Sequence, residues 1–183
     1  MKKFIISIDA GTTSNRSILF DLKGKPIFSS QKEFTQYFPK SGWVEHNPDE
    51  IWKTTIKTLK DVMQKAKRLK GKILSIGITN QRETTVLWDK KTGKPVYKAI
   101  VWQDRRTEEF CKKLRKQNKD TMVFNKTGLL IDSYFSGTKI KWILDNVPKA
   151  RQLMNKKQLL FGTIDSFLIW RLTKGKVHAT DAT

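Results

Sequence analysis

The sequence contains a single cysteine, Cys111, among its 183 residues. One cysteine cannot form a disulfide within the chain, so nothing in the composition indicates an oxidising compartment. The two histidines, His46 and His178, lie far apart and neither has cysteines nearby, which argues against a zinc-binding motif. No Gly-x-Ser-x-Gly run occurs, so the sequence also lacks the nucleophile turn of the α/β-hydrolases.

Long apolar runs are absent as well. The apolar stretch that begins at Phe4 is interrupted by Asp9 before any small-residue cleavage site, so it is too short for the core of a secretory signal peptide. The longest later stretch, residues 159–170, contains Asp165 and is well short of the ~18 residues that a membrane-spanning helix needs. We therefore expect a cytoplasmic protein without a membrane span.

Acidic residues are scarce: 17 Asp and Glu stand against 37 Lys and Arg, and the formal net charge is +20. Such a charge suggests nucleic acid or an anionic membrane as a partner, because clustered cations neutralise phosphates. Lysine outnumbers arginine 29 to 8, however, and the lysines are spread over the whole length. Specific readers of phosphates and bases use the planar donor fork of arginine. We predict a lysine-rich surface and no nucleic-acid partner, with a non-enzymatic nucleic-acid-binding protein as an alternative.

Hydrophobic residues make up 38% of the chain, enough for the packed core of one domain or of part of a larger one. β-Branched and aromatic runs predict strands over 4–8, 17–22 and 27–34. The two tight turns between these strands indicate an antiparallel meander. Further apolar runs predict strands over 73–79 and 86–88.

A long amphipathic helix is predicted between the third and fourth strands. Asn47 suits the N-cap, Pro48 suits the first helical position, and Gly71 is expected to end the helix. Because a helix connects them, the strand over 73–79 should run parallel to the first strand. Three later helices are predicted over 107–117, 137–146 and 165–172. This order of elements favours an α/β fold with a mixed sheet.

The turn after the first strand has the composition of a phosphate-binding loop. Gly11 lets a phosphate approach the main chain closely. Hydroxyl donors follow at Thr12, Thr13 and Ser14. Arg16 can pair with a phosphate oxygen, and Asp9 at the strand end can hold Mg²⁺ through water. The alternative is an ordinary β-hairpin turn, which favours the same residue types.

Polar residues also follow the strand that ends at Thr79. Arg82 offers fork donors and Glu83 offers a carboxylate acceptor, a combination that matches adjacent hydroxyls of a polyol. Ligand contacts in an open α/β sheet commonly lie just after such a strand. The alternative is a surface ion pair, which contributes under about 1 kcal/mol.

Two aromatic residues in later loops could complete a polyol pocket. Trp102, beside the charged run Asp104–Arg106, can supply an apolar wall for a small carbon skeleton, and Tyr134 can offer a hydroxyl. The alternatives are a core tryptophan at a strand end and a tyrosine that packs a loop.

Taken together, six segments occur in the order found in the glycerol kinases of the FGGY carbohydrate-kinase family, which the chain resembles from about residue 4 to residue 183. They are DAGTTSNR from Asp9, GWVEH from Gly42, GITNQRETT from Gly77, WQDRRT from Trp102, SYFSGTK from Ser133 and LFGTID from Leu160. The Asn-Gln-Arg-Glu-Thr run is informative, because xylulokinase-type members carry a Gln-Met-His-Gly type motif around this position.

The resemblance implies a ribonuclease H-like fold of the actin/hexokinase ATPase type and transfer of the γ-phosphoryl group of ATP to glycerol, giving sn-glycerol 3-phosphate. It also implies a role for each matching residue. Nucleotide phosphates would be contacted by Thr12, Thr13, Ser14 and Arg16. Asp9 would position Mg²⁺ through water. Glycerol would be held by Arg82, Glu83, Trp102 and Tyr134.

Members of this family continue well past the position of Thr183. Residues 1–183 are therefore expected to form an incomplete N-terminal kinase domain, without the second domain, the adenine pocket or the carboxylate that acts as catalytic base. No catalytic residue is expected in this chain, and the chain alone is expected to be inactive. Another polyol or sugar kinase of the family remains an alternative, and a homo-oligomer is possible for the full-length protein.

Overall fold

A computed structural model of the chain describes residues 1–181 as an α/β structure with nine strands and six helices. The strands are β1 (Lys2–Ala10), β2 (Ser14–Asp21), β3 (Pro26–Glu33), β4 (Gln36–Tyr37), β5 (Glu45–His46), β6 (Gly71–Asn80), β7 (Val86–Asp89), β8 (Ala99–Ile100) and β9 (Leu159–Gly162). The helices are α1 (Pro48–Arg68), α2 (Glu108–Lys116), α3 (Asp120–Thr127), α4 (Ser136–Asn146), α5 (Pro148–Asn155) and α6 (Ile164–Leu172).

The main sheet has the strand order β3-β2-β1-β6. β1 pairs antiparallel with β2 and parallel with β6, and β2 pairs antiparallel with β3. Ile8, for example, lies opposite Ser17 on β2 and opposite Ile78 on β6. The predicted meander, the parallel fourth strand and the mixed sheet are all confirmed.

Helix α1 covers one face of this sheet. The Asn47 side chain caps it by accepting a hydrogen bond from the Asp49 main-chain N–H, and Pro48 begins the first turn. The core between helix and sheet consists of Phe4, Ile6, Ile8, Leu19, Leu59, Val62 and Ala66. Leu69 caps the helix, so Gly71 is the first residue of β6 and not the end of the helix.

Several short elements were not predicted. β4, β5 and β8 form a small antiparallel sheet of two-residue strands, which are too short to show a period in the sequence. β9 pairs with β7, although its sequence reads only as an apolar stretch before a helix. Helix α3 has no buried residue and therefore no apolar face to reveal it.

Within residues 1–181, no helix is both long enough and apolar enough to cross a bilayer.

β6 begins where the main chain passes directly over a core side chain. A Cβ atom added at Gly71 would overlap the ring of Phe4, which is only 3% exposed. Gly77, on the same strand, has open space where its Cβ would lie, and neither glycine needs a positive φ. Gly71 is thus required by packing, whereas Gly77 is not.

We expect Gly71→Ala to lower the free energy of unfolding by about 1–3 kcal/mol, because a buried aromatic ring must move to accommodate the methyl group. Gly77→Ala is the matched control and should leave stability unchanged or raise it by about 0.5 kcal/mol, since alanine restricts the unfolded chain. Urea denaturation of the three proteins measures both effects. Equal midpoints for the two variants would show that the Gly71–Phe4 contact does not constrain this strand.

Candidate functional site

The glycine-threonine hairpin lies at the carboxyl end of β1 and is anchored from below by a buried asparagine. Asn15 is fully buried, and its amide Nδ2 donates to the main-chain oxygen of Ile51 at 2.9 Å and to Thr54 Oγ1 at 2.6 Å. These bonds connect the hairpin to α1, so the polar tip projects from a fixed base. No pattern in the sequence indicated this anchoring role of Asn15.

The predicted phosphate ligands all lie in this hairpin. Arg16 Nη2 donates to Asp9 Oδ2 at 3.1 Å across the β1–β2 pair, and both side chains are more than a third exposed. Ser14 Oγ accepts a hydrogen bond from Gln31 Nε2 at 2.8 Å, and Thr13 is exposed. The predicted phosphate cation and the predicted Mg²⁺-positioning carboxylate thus form an exposed ion pair with each other.

The loop after β6 is joined to the hairpin through Gln81, which is buried. Its main-chain N–H donates to the Ala10 oxygen at 3.0 Å, and its side-chain Nε2 donates to the Gly11 oxygen at 3.1 Å. Gln81 Oε1 accepts from Thr84 Oγ1 at 2.7 Å. Gln81 therefore links the two predicted ligand-binding loops. It was not among the residues predicted for either the phosphate loop or the polyol pocket.

His46 lies behind Gln81 as a buried, uncharged ring. Its Nε2 lies 2.6 Å from Gln36 Oε1 and its Nδ1 lies 3.3 Å from Gln81 Nε2. Because the first partner is an acceptor and the second a donor, the network assigns the proton to Nε2. Burial lowers the pKa of His46 to about 4. His46 therefore supports Gln81 as a neutral acceptor at ordinary pH.

Glu83, a predicted polyol ligand, is oriented by the start of α4. Its carboxylate accepts from the main-chain N–H of Ser136 at 3.2 Å and from Ser136 Oγ at 3.0 Å. Arg82 is exposed next to it. The pair is thus not a simple Arg–Glu surface bridge, because the carboxylate of Glu83 bonds to a different loop.

Lys139 connects the loop that carries Glu83 to the loop that carries Tyr134. The side chain is fully buried, and Nζ donates to the main-chain oxygens of Glu83, at 2.8 Å, and of Tyr134. Burial lowers the pKa of Lys139 to about 8, against opposing attraction from Glu83. A buried cation between the main chains of two predicted polyol ligands fixes their spacing. The sequence gives no signal for it beyond its place in the SYFSGTK segment.

Trp102 contacts both groups of predicted ligands. Its indole Nε1–H donates to Thr12 Oγ1 at 3.1 Å, and its ring meets Tyr134 edge-on with the centroids 5.8 Å apart. Trp102 is half-buried. The alternative interpretation as a core tryptophan therefore does not hold: the ring lies between the hairpin and the Tyr134 loop.

A buried ionic cluster supports the segment that carries Trp102. Arg106 Nη2 donates to Asp104 Oδ2 at 2.8 Å and to Glu45 Oε1 at 2.9 Å, and all three side chains are at most 4% exposed. The guanidinium lies 3.8 Å from the ring centre of Trp43. Burial by itself would lower the pKa of Arg106, but the bonds to the two carboxylates outweigh it and raise the pKa, so the group stays charged.

The structure brings the predicted residues into one contiguous region. The hairpin contacts the β6 loop through Gln81 and the aromatic pair through Trp102, while Ser136 and Lys139 join Glu83 to Tyr134. A cleft of about 760 Å³ adjoins this region. Arg82 and Glu83 line the cleft together with residues of α6 and residues 178–181, whereas Thr12–Arg16, Trp102 and Tyr134 do not line it.

The described residues offer few ligands for a metal ion. Within residues 1–181 no group of three or more His, Cys, Asp or Glu side chains could hold an ion. Asp9 offers one carboxylate beside the hairpin, with Oδ2 accepting from Arg16. A hydrated Mg²⁺ held mainly by phosphate oxygens requires no more than this, because the ion keeps most of its water. Asp9 therefore fits a role in positioning such an ion.

Comparison with known proteins identifies close relatives. A model described as the FGGY family of carbohydrate kinases, N-terminal domain, matches residues 4–183. The glycerol kinase of Malacoplasma penetrans is 60% identical over 182 residues, and that of Petrotoga mobilis is 57% identical over 183. Each alignment covers 100% of this chain but 36% and 37% of the relative. The chain thus spans little more than a third of these proteins.

Solved structures agree. The crystal structure of Plasmodium falciparum glycerol kinase with ADP is similar with a TM-score of 0.90 and 36% identity, over 95% of this chain and 35% of that one. Gluconate kinase from Lactobacillus acidophilus is similar with a TM-score of 0.81 at 23% identity, over 93% of this chain and 33% of that one. These likenesses confirm the expected fold of the actin/hexokinase ATPase type.

The buried charge of Lys139 predicts a pH dependence of stability. Its pKa is lower in the folded chain than the ordinary value of 10.5, so the unfolded chain binds more protons between about pH 8 and 10.5. Deprotonation of this lysine therefore makes the free energy of unfolding rise with pH across that window, by up to about 3 kcal/mol. In Lys139→Met that contribution should vanish, and the difference is measured by urea denaturation at a series of pH values.

Lys141→Met is the control, because Lys141 lies on the same helix but its side chain is half-exposed and bonded to Asp145. It should keep the wild-type slope. If Lys139→Met keeps that slope too, Lys139 is not held as a buried cation.

Proposed function

The chain belongs to the FGGY family of carbohydrate kinases, and we propose that it is the N-terminal part of a glycerol kinase, which transfers the γ-phosphoryl group of ATP to glycerol. The observation that carries the proposal is the identity of 57–60% to named glycerol kinases over the whole of this chain. The gluconate and xylulose kinases compared with it are at most 23% identical, which supports the fold alone. The chain covers about 36% of the first of these glycerol kinases, so the activity is proposed for a protein of their length and not for this chain alone.

The contacts around the polyol residues support this assignment. Glu83 is oriented by Ser136, and its main chain is bonded to Lys139, so its carboxylate is held before any ligand arrives. Arg82 remains exposed at the cleft and can donate to the other hydroxyls. Trp102 and Tyr134, which lie beside the cleft without lining it, are proposed to supply apolar edges for the three carbons. A small triol requires such a combination, because each hydroxyl must be paired while its carbon skeleton is removed from water.

The hairpin is proposed to hold the phosphate chain of ATP. Thr12, Thr13 and Ser14 donate hydroxyl hydrogen bonds, the main chain at Gly11 allows close approach, and Arg16 supplies positive charge. Asp9 is proposed to position Mg²⁺ through water, and that ion would neutralise charge on the phosphates. Phosphoryl transfer depends mostly on positioning and charge stabilisation. The proposed contribution of this chain is therefore to hold acceptor and phosphates in a fixed relation.

The two sets of ligands can be separated by mutation. Arg82→Ala should weaken glycerol binding to the chain by about tenfold or more, because a charged hydrogen bond is lost, and should leave tripolyphosphate binding nearly unchanged. Thr13→Ala should do the reverse. Chemical-shift titrations of the ¹⁵N-labelled chain with glycerol and, separately, with tripolyphosphate measure both affinities.

Arg151→Ala removes one exposed positive charge from α5 and controls for net charge, while Thr13→Ser keeps the hydroxyl and should retain tripolyphosphate binding. If Arg82→Ala and Thr13→Ala weaken both ligands equally, the assigned roles are wrong. Tighter binding of xylulose or gluconate than of glycerol would instead favour another sugar kinase of the family.

We also expect no phosphorylation of glycerol by the purified chain. The family resemblance places the catalytic base and the adenine pocket in the part of the relatives that these residues do not cover, so no residue of this chain is proposed to accept the proton of the attacking hydroxyl. An assay for glycerol 3-phosphate with ATP and Mg²⁺, using protein free of host kinase, tests this. Turnover that purifies with the chain would show that a base lies within these residues.

A further inference from the structure

Trp102 lies between the two sets of ligands that the proposed function distinguishes. Its indole N–H donates to Thr12 Oγ1 at 3.1 Å, so it contacts the hairpin proposed for phosphates. Its ring meets the Tyr134 ring edge-on at 5.8 Å, so it contacts the loop proposed for glycerol. Ninety positions separate Trp102 from Thr12 in the sequence. The hydrogen bond is therefore a tertiary contact between two otherwise separate loops.

The direction of this bond determines what the Thr12 hydroxyl can do. An indole N–H is a donor only, whereas a hydroxyl has one donor proton and two acceptor positions. Since Thr12 Oγ1 accepts from Trp102, its own proton must point away from the indole. The hydroxyl is thereby prepared to donate, and donation is what a phosphate oxygen requires.

The same bond restrains the tryptophan ring. Nε1 is held by Thr12 at one side and the ring is packed against Tyr134 at the other. Beneath, Lys139 bonds to the main-chain oxygen of Tyr134, so the Tyr134 loop is itself held in place. A ligand that packs against this ring therefore acts on a side chain whose position is transmitted to Thr12.

We propose that Trp102 is a positioning residue that couples the glycerol subsite to the phosphate subsite through its hydrogen bond to Thr12. The inference rests on the proposed function and adds to it a physical link between the two ligands. Glycerol packed against the ring stabilises the geometry in which the Thr12 hydroxyl donates, and so raises the affinity of the hairpin for phosphates. By linkage, phosphates raise the affinity for glycerol by the same factor.

The coupling is measured on the 183-residue chain by NMR. The chain has six tryptophans, and comparison with Trp102→Phe assigns the Trp102 indole signal. Tripolyphosphate stands in for the phosphate chain of the nucleotide. Because the net charge is +20, it will also bind elsewhere by charge, so the titration is followed at the Trp102 indole and the Gly11 amide in a high-salt buffer.

We expect saturating glycerol to tighten tripolyphosphate binding by about fivefold or more, and saturating tripolyphosphate to tighten glycerol binding by the same factor. In Thr12→Val, which keeps the shape but loses the acceptor, the factor should fall to one. Thr12→Ser keeps the hydroxyl and should restore the coupling. In Trp102→Phe, the aromatic wall remains but the coupling should be lost, measured at the Gly11 amide.

The outcomes distinguish a failure of the proposed coupling from a failure of the proposed ligand binding. If both ligands bind the wild-type chain but their affinities are independent, or if coupling survives in Thr12→Val, the inference is overturned while the proposed function stands. If neither glycerol nor tripolyphosphate shifts these signals, the inference is overturned together with the proposed role of these residues in holding the two ligands. A Trp102 with a purely structural role would alter the stability of the variants without changing the ratio of affinities in Thr12→Val.

Discussion

In the parallel pairing of β1 with β6, Asp9 lies opposite Thr79 and Ala10 lies opposite Asn80. Two strands that run in the same direction end at the same edge of the sheet, so the loops that follow them become neighbours. The long connection through α1 makes this pairing possible, and the core between α1 and the sheet holds it in register. The hairpin and the Arg82–Glu83 loop are adjacent for this reason, and the bonds of Gln81 to Ala10 and Gly11 continue the same register beyond the last strand residue.

Beyond the strand ends, the loops are held by buried polar groups rather than by apolar packing. Gln81 and Lys139 are buried, and each bonds to main-chain oxygens of another loop. A buried polar group lowers the stability of the fold when it is left unpaired, and its hydrogen bonds are directional when it is paired. Such contacts therefore specify one arrangement of the loops, whereas apolar side chains would tolerate several. This arrangement suits a site proposed to hold small polar ligands, because these bonds use main-chain oxygens and not the side chains proposed to bind the ligand.

The sequence predicted most of the elements whose apolar positions repeat with a period, although it missed α5, in which Ala150 and Leu153 are buried three positions apart. The strands of the meander and the long amphipathic helix show their burial in the pattern of apolar positions, and their bounds agree within a few residues. The two-residue strands have no such pattern, because they arise from pairing between distant segments. Helix α3 has none because its apolar residues do not lie on one buried face. The same distinction applies at the site: residue types and motifs indicated Thr12, Arg82 and Trp102, but Lys139 contacts Glu83 across 56 positions. Its role depends on a tertiary contact that no local pattern encodes.

The exposed pair of Arg16 and Asp9 has a consequence for the proposed binding of phosphate. Both side chains are more than a third exposed, and an exposed ion pair contributes at most about 1 kcal/mol. Under the proposed function, a phosphate at the hairpin would compete with Asp9 for Arg16, and little free energy would be lost if the arginine changed partner. The carboxylate of Asp9 would then be available to a hydrated cation that accompanies the phosphate. The two charges thus neutralise each other in this ion pair, and its weakness would leave both available to a phosphate and its accompanying cation.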